Sequence, residues 1–298
     1  MTVIEHICGS TLRLQLMSDL HIGSLHTDYK LIESELKRAE AEDALIAING
    51  DVFDAILPGD RKRYRANNLH PRMYSAGDDM IGESIRWAAE ILSPYTHRIL
   101  MIGDGNHDDS VARYHHIEPV KHLCILLARD SGKPIYYGGY HGFLHLKFPL
   151  CQGNTSRACG HYVIHYHHGA GGGAPVTKGA ITFSRAQMWL EGVDAIWRGH
   201  THNKQAGRDS KIVFDSGKVR AENRVSSKDV LTIRTGAYMD TYQGTTPEYL
   251  MEHGRKDNYG ALMDGSALPK GGMMLELTVE DCQKHKMRET IVHSSLRI

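Results

Sequence analysis

Ala44-Leu45-Ile46-Ala47-Ile48-Asn49-Gly50-Asp51-Val52-Phe53-Asp54 sets the fold class of this chain. Its first five residues, Ala44 to Ile48, are an unbroken apolar run, the pattern of a strand buried on both faces of a parallel sheet. Asn49-Gly50-Asp51 then stops it with turn-forming residues and an acid. Parallel strands need crossover connections, and helix-period stretches lie on both sides of the run. Upstream, Leu12 to Leu16 alternates apolar and polar residues into Ser18-Asp19, and Tyr29 to Ala41 sets charged residues around Leu31, Ile32 and Leu36 as an amphipathic helix does. Downstream, Met80 to Leu92 reads as helix, Ile99 to Ile102 as a second buried strand stopped by Gly103-Asp104-Gly105, and Glu118 to Ala128 as a further helix.

Past residue 160 the pattern changes. Tyr162 to Ile164 and Ala195 to Trp197 read as strands feeding polar loops, with a helix from Phe183 to Leu190 between them. Lys211 to Phe214, Val230 to Ile233, Met273 to Val279 and Met287 to Val292 read as strands with few helical interruptions. The expectation is an α/β protein of one domain, residues 1–298, with two packed sheets and helices outside. The core is expected over 12–202, an insertion over 55–80, and a strand-rich part over 203–298 completing the second sheet.

Composition narrows the function classes. Lys plus Arg and Asp plus Glu are both 35, so no overall field argues for nucleic acid or membrane. The five cysteines, Cys8, Cys124, Cys151, Cys159 and Cys282, show no C-x-x-C spacing, against a thiolate zinc site or a disulfide framework. No apolar run approaches the ~18 residues of a membrane helix, and the first residues lack a signal-peptide layout. The expected location is the cytoplasm, that of the host if the chain is phage-encoded. The 20 histidines are the outlier, although scattered histidines also occur as neutral surface residues.

Several of the strands deliver acids, amides or histidines where they end: Asp19-Leu20-His21, Gly50-Asp51-Val52-Phe53-Asp54, Gly105-Asn106-His107-Asp108, His167-His168-Gly169 and Gly199-His200-Thr201-His202. Ligand sites of α/β sheets lie outside the carboxyl ends of the strands, where such loops converge. Asp19 and His21 flank one residue and can face one ion, as the alternating His200 and His202 can serve one ion each. Asp51, at a strand tip, can bridge two. Oxygen and imidazole donors in this mixture suit hard or borderline divalent ions.

In this order, D-x-H, G-D-x-x-D, G-N-H-D, H-G and G-H-x-H resemble the calcineurin-like metallophosphoesterase superfamily, over about two thirds of the chain, from Leu12 to His202. The resemblance implies a four-layer αββα sandwich of two mixed sheets between helices. It also implies that Asp19, His21, Asp51 and His202 hold one ion, while Asp51, Asn106, a histidine near 168 and His200 hold the other. His168 is favoured because it directly precedes the small residue; His167 is the alternative. His107 is then no ligand but a substrate-contacting acid, with Asn106 beside it and Asp108 orienting it. The implied cofactors are two divalent ions, Mn²⁺ first, with Fe, Zn²⁺ or Mg²⁺ as alternatives.

The expected reaction is hydrolysis of a phosphate ester by a hydroxide bridging the two ions. Neither a nucleophile elbow nor a P-loop points to a covalent route. Ala55 after Gly50-Asp51-Val52-Phe53-Asp54 departs from the Asp-Arg-Gly continuation of the Ser/Thr protein phosphatases. The segment from His165 to Gly173 and Arg234-Thr235-Gly236-Ala237-Tyr238 look similar to bacteriophage and prophage members. A phosphodiesterase or nuclease is therefore the first expectation; a phosphomonoesterase, a protein phosphatase and a silent phage-associated binding scaffold are the rivals. Arg61, Arg63 and Arg65 in the insertion are candidate phosphate contacts, with nucleic acid a candidate partner. They fit a solvated basic loop as well, and nothing in the sequence speaks to oligomeric state.

Overall fold

A computed structural model describes residues 1–58, 64, 68–149, 159–172, 177, 179–217, 219–220, 222, 224–240, 242, 247–248, 251, 267–284 and 287–298. Its strands are β1 (Thr2–Ile7), β2 (Thr11–Met17), β3 (Leu45–Asn49), β4 (Ile99–Gly103), β5 (Tyr136–Gly139), β6 (His141–Pro149), β7 (Cys159–His167), β8 (Ala195–Arg198), β9 (Gln205–Phe214), β10 (Val225–Arg234), β11 (Met273–Lys284) and β12 (Met287–Arg297). The helices are α1 (Tyr29–Ala41), α2 (Pro71–Ser75), α3 (Met80–Leu92), α4 (Asn106–His115), α5 (Pro119–Ser131) and α6 (Ala180–Trp189).

The strands form two six-stranded mixed sheets, ordered β12-β11-β2-β3-β4-β5 and β1-β6-β7-β8-β10-β9. β2, β3, β4 and β5 run parallel in the first; β7, β8 and β10 run parallel in the second. The expectation that residues 203–298 complete one sheet is corrected: β9 and β10 extend the second, while β11 and β12 extend the first. β11 lies antiparallel against β2, with Met273 opposite Leu16.

Residue period explains the layers. Along β2, Leu12, Leu14 and Leu16 point between the sheets, where they meet Leu144, Ile164, Tyr166 and Trp197. Gln15 on the other face bonds Glu35 of α1 at 2.9 Å, and Met17 joins the core that α1, α3 and α5 build through Ile32, Leu36, Ala88, Leu92 and Leu123. On the far side α6 seals Phe183 and Ala186 over Ile196 and Val230. The order is helices, sheet, sheet, helix, the expected α/β sandwich of four layers.

Helix α4 and the short α2 were not expected. Asn106-His107-Asp108-Asp109 is polar enough to read as loop, yet it forms the first turn of α4. His115 and His116 stand exposed at that helix's C-terminal end. Arg61, Arg63 and Arg65 lie outside the described residues. Nearby Arg72 is committed to Glu83 at 2.5 Å and Glu90 at 2.7 Å, over the Trp87 ring. Among the described residues no helix is long and apolar enough to cross a membrane.

His165 illustrates what burial costs this sandwich. Its ring packs edge-on to Phe143 and Trp189, and its Nδ1 has no hydrogen-bond partner. Burial, aided by the charge on Arg198, pushes its pKa down to about 4. Since the unfolded ring binds a proton below its ordinary value of 6.5 and the folded ring does not, stability is lost as pH falls from 6.5 to 4. Urea unfolding of the wild type and His165→Leu across that range should show the wild type losing up to about 3 kcal/mol relative to the variant.

Candidate metal centre

The strand ends bring the acids and histidines together. Asp19 follows β2, Asp51 follows β3, and Asn106 and His107 open α4 just after β4; His168 follows β7, and His200 and His202 follow β8. Two sheets thus meet at their carboxyl ends. Backbone bonds lock the loops to one another: Asp19 N–H to Gly50 O at 2.9 Å, His21 N–H to Asp51 O at 3.0 Å, and Gly199 N–H to His168 O at 2.7 Å.

These loops are bent in an unusual way. Of the eight non-glycine residues with positive φ among the described residues, five are Asp19 (56°), His21 (48°), Asp51 (48°), His200 (68°) and His202 (57°). Left-handed backbone at such residues is uncommon and strained, and concentration at one spot is the pattern of a functional site. Gly50, at φ 81°, packs so closely that a Cβ would meet Asp104 O and His168 Nδ1 at 2.5 Å. A Cβ at Gly105 would overlap the Asp51 carboxylate.

Three donor groups form, each with its ligand atoms within 4.8 Å of one another: Asp19, His21 and His202; His21, Asp51 and His107; Asp51, His168 and His200. Asp51 belongs to two of them. His202 Nε2 lies 3.4 Å from Asp19 Oδ1, and His168 Nε2 lies 3.2 Å from Asp51 Oδ2 and 3.8 Å from Asp19 Oδ1. His21 Nε2 is 3.3 Å from His202 Nε2 and 4.0 Å from Asp51 Oδ2. His168, not His167, joins the cluster. The His167 Nδ1 instead accepts the Gly169 N–H at 3.0 Å, and its ring lines a neighbouring cleft.

A second layer fixes which nitrogen each ring offers. A carbonyl only accepts, so His168 Nδ1 donates to Asn49 O at 2.8 Å and leaves Nε2 for the centre. His200 Nε2 donates to Gly171 O at 2.8 Å and leaves Nδ1. His21 Nδ1 faces Asp54 Oδ1 at 3.3 Å, a carboxylate–histidine pair of the kind that orients metal-bound imidazole. Ser18 Oγ donates to Asp19 Oδ2, which also accepts from His200 N–H at 3.1 Å.

Electrostatics match the geometry. Burial would raise Asp19, but the imidazoles of His168 and His202 hold it below its ordinary value. Asp51 is held well below by His168 and His107 against the same penalty. Reciprocally, burial would lower His168 and His21, yet Asp51 and Asp19 lift the first to about 10, and Asp54 and Asp51 lift the second to about 9. Protons on these rings balance the carboxylates; a divalent ion balances them through the ring lone pairs instead.

The residues fit two divalent ions. Asn106 Oδ1 and His168 Nε2 are buried with no hydrogen-bond partner, as ligand atoms must be. All donors are oxygen or imidazole nitrogen, a set that suits Mn²⁺, Fe, Zn²⁺ or Mg²⁺ without selecting among them.

The expected role of Asp108 needs correction. Its carboxylate does not touch His107; it accepts N–H bonds from Gly105 at 2.8 Å, Phe53 at 3.1 Å and Val52 at 3.2 Å, stitching two loops together. Burial and the nearby Asp51 charge push Asp108 up to about 8. The partner of His107 is Asp54, whose carbonyl accepts from Nδ1 and whose Oδ1 lies 4.0 Å away. Sequence reasoning quoted Asp54 within its motif and gave it no role; the second acid of G-D-x-x-D was the available signal.

No family model matches the chain, and no curated protein matches it. Among solved structures it is similar to a conserved uncharacterized protein of Streptococcus pneumoniae TIGR4, described as a predicted phosphoesterase, at 13% identity and a TM-score of 0.32 over 95% of this chain and 98% of that one. It is similar to Vacuolar Protein Sorting 29 of Cryptosporidium parvum at 12% identity and a TM-score of 0.34, covering 96% and 99%. It is also similar to GAP50, the anchor in the inner membrane complex of Plasmodium, at 11% identity and a TM-score of 0.39, covering 95% and 88%. Likeness at that level speaks to neither activity nor ligand, so the assignment of the centre rests on its own residues.

Asp54 offers a direct check. Equilibrium dialysis with Mn²⁺ should show Asp54→Ala binding one of two ions about 10–100-fold more weakly, the usual effect of losing an outer partner. Unchanged affinity at both positions would remove Asp54 from the support of His21.

Proposed function

We propose that the chain is a dinuclear-metal phosphoesterase acting on phosphodiesters. The observation that carries this reading is the sharing of buried Asp51 between two donor groups, one with His21 and His107 and the other with His168 and His200, while His21 links the first of them to a third group with Asp19 and His202. Bound ions would supply Lewis acidity toward the phosphoryl oxygens and a water acidic enough to serve as nucleophile near neutral pH.

The chain's own residues do the rest. Asp19, His21, His202 and Asp51 would hold one ion, and Asp51, Asn106, His168 and His200 the other. The first turn of α4 presents its positive dipole end toward the same place, favouring a phosphate there. His107 Nδ1 is committed to the Asp54 carbonyl, so Nε2 is the atom free to hand a proton to the leaving oxygen. Its ring lies edge-on to His21 at 4.8 Å between centroids, which keeps it beside the centre. Burial lowers the His107 pKa, so the ring gives up its proton more readily than a solvated histidine. Asp108 acts at one remove, by holding the loops that carry Asp51 and His107 in register.

Hydrolysis of bis-p-nitrophenyl phosphate with Mn²⁺ tests the reading: the wild type should turn over and Asp51→Asn should not. An inert wild type that folds and binds two ions would replace the enzyme with a binding scaffold. His107→Ala should lose about 10²–10⁴-fold on a diester with an alkoxide leaving group and much less on the p-nitrophenyl ester, whose leaving group needs no proton. Equal losses on both would take the acid role from His107.

A further inference from the structure

Beside the centre, on the side covered by α6, lies a second cleft of about 220 Å³ that the phosphoesterase reading leaves unused. Its lining includes His167, Arg185, Trp189, Arg198, Thr201 and Arg234. It adjoins the centre through the ligand loops themselves: His167 precedes His168, and Thr201 stands between His200 and His202. The loops that turn histidines toward one site therefore turn other side chains toward the next.

The cleft is cationic, and among the described residues two of its arginines, Arg198 and Arg185, have no carboxylate against them. Arg198 is only 9% exposed, its Nε has no hydrogen-bond partner, and no carboxylate pairs with it among the described residues. Thr201 Oγ1 is likewise buried without a partner. Arg185 is exposed on α6, again with no carboxylate on it among the described residues. Arg234 is held rigidly, donating to Gly179 O at 3.0 Å and Thr182 Oγ1 at 2.7 Å and lying over the Phe183 ring at 4.6 Å. Among the described residues no Asp or Glu lines the cleft.

A buried guanidinium without an anion is expensive, and a protein keeps one where a ligand completes the pair. The planar fork of arginine matches phosphate oxygens in particular. At the rim, Trp189 is 59% exposed and meets His165 edge-on, with ring planes at 89°, which leaves an indole face open to a planar group. Aromatic faces beside cationic grooves are how bases of single-stranded nucleic acid are held.

We infer that this cleft is a second phosphate subsite, and that the substrate is a phosphodiester-linked nucleotide whose neighbouring phosphate rests on Arg198 and Arg185 with its base against Trp189. The substrate class rests on the phosphoesterase reading; the phosphate subsite stands on the cleft alone. Arg198 and Arg185 are then specificity residues, remote from the bond that breaks.

The test separates the two. The full chain is titrated with adenosine 5′-monophosphate, adenosine and inorganic phosphate, with Mn²⁺ and again with EDTA, following tryptophan fluorescence. The monophosphate should bind the EDTA-treated chain at least tenfold more tightly than adenosine does. Arg198→Gln should weaken it about tenfold and Arg185→Ala severalfold. Arg198→Gln should also melt no lower than the wild type, because it removes an uncompensated buried charge. Arg185→Ala changes an exposed helix position and keeps the test decisive should Arg198→Gln fail to fold. On a thymidine dinucleotide, a terminal phosphate should lower KM in the wild type, and Arg185→Ala should abolish that advantage. Monophosphate binding unchanged in both variants, or adenosine binding equally well, would overturn the subsite. Intact monophosphate binding without any diester hydrolysis would instead overturn the reading of the centre and the substrate class with it.

Discussion

Two carboxylates with almost no access to water, Asp19 at 0% and Asp51 at 1% exposure, sit where the two sheets converge, and much of the local architecture answers to them. An ionised carboxylate in that position is untenable unless charge and hydrogen bonds compensate it. Compensation comes from every side: His200 N–H on Asp19, His107 N–H on Asp51 at 2.8 Å, and the imidazoles of His21, His168 and His202. These donors arrive from four strand ends, those of β2, β4, β7 and β8. The site therefore exists only if β2, β3, β4, β7 and β8 hold their mutual register, which the apolar layer between the sheets enforces through Leu14, Leu16, Ile164 and Trp197.

The loops meet this demand by accepting strain. Left-handed backbone at five acid and histidine positions turns their side chains inward over a short distance, at a cost of order 1 kcal/mol or more each. Ordinary strand-to-helix connections have no reason to gather such residues. Asp108 secures the arrangement by accepting three backbone N–H hydrogen bonds, and the Asn49 and Gly171 carbonyls fix the orientation of the His168 and His200 rings. The structure invests in a rigid polar centre and places the apolar packing around it.

Much of this was legible in the residues, for physical reasons. β3 and β4 are buried on both faces, so their runs are continuous and easily seen; α1 and α3 carry a clear helical period. β1 was missed because it is an edge strand with mixed polar and apolar residues, and α4 because Asn106, His107, Asp108 and Asp109 crowd its first turn. The cluster of acids and histidines could be listed from motifs, but the choice of His168 over His167 depends on which ring faces inward at the end of β7. The partnership of Asp54 with His21 and His107 depends on loop packing. Arg198 and Arg234 were invisible as a pair: they end β8 and β10, parallel neighbours 36 positions apart in sequence, and only the sheet places them side by side.

The position of β11 has a consequence for the order in which the molecule can be made. The strand that delivers Asp19 has only one of its two neighbours, β3, within the early part of the chain; the other is supplied by residues 273–278, and the Asp19 carbonyl accepts from Tyr238 N–H at 3.0 Å. A polypeptide emerging from the ribosome carries Asp19, Asp51 and His107 long before those late partners appear. Until they dock, β2 is an open edge and its loop has no fixed geometry. Synthesis thus proceeds with the donor cluster unassembled, and the closing of the first sheet by strands made late is the event that completes it.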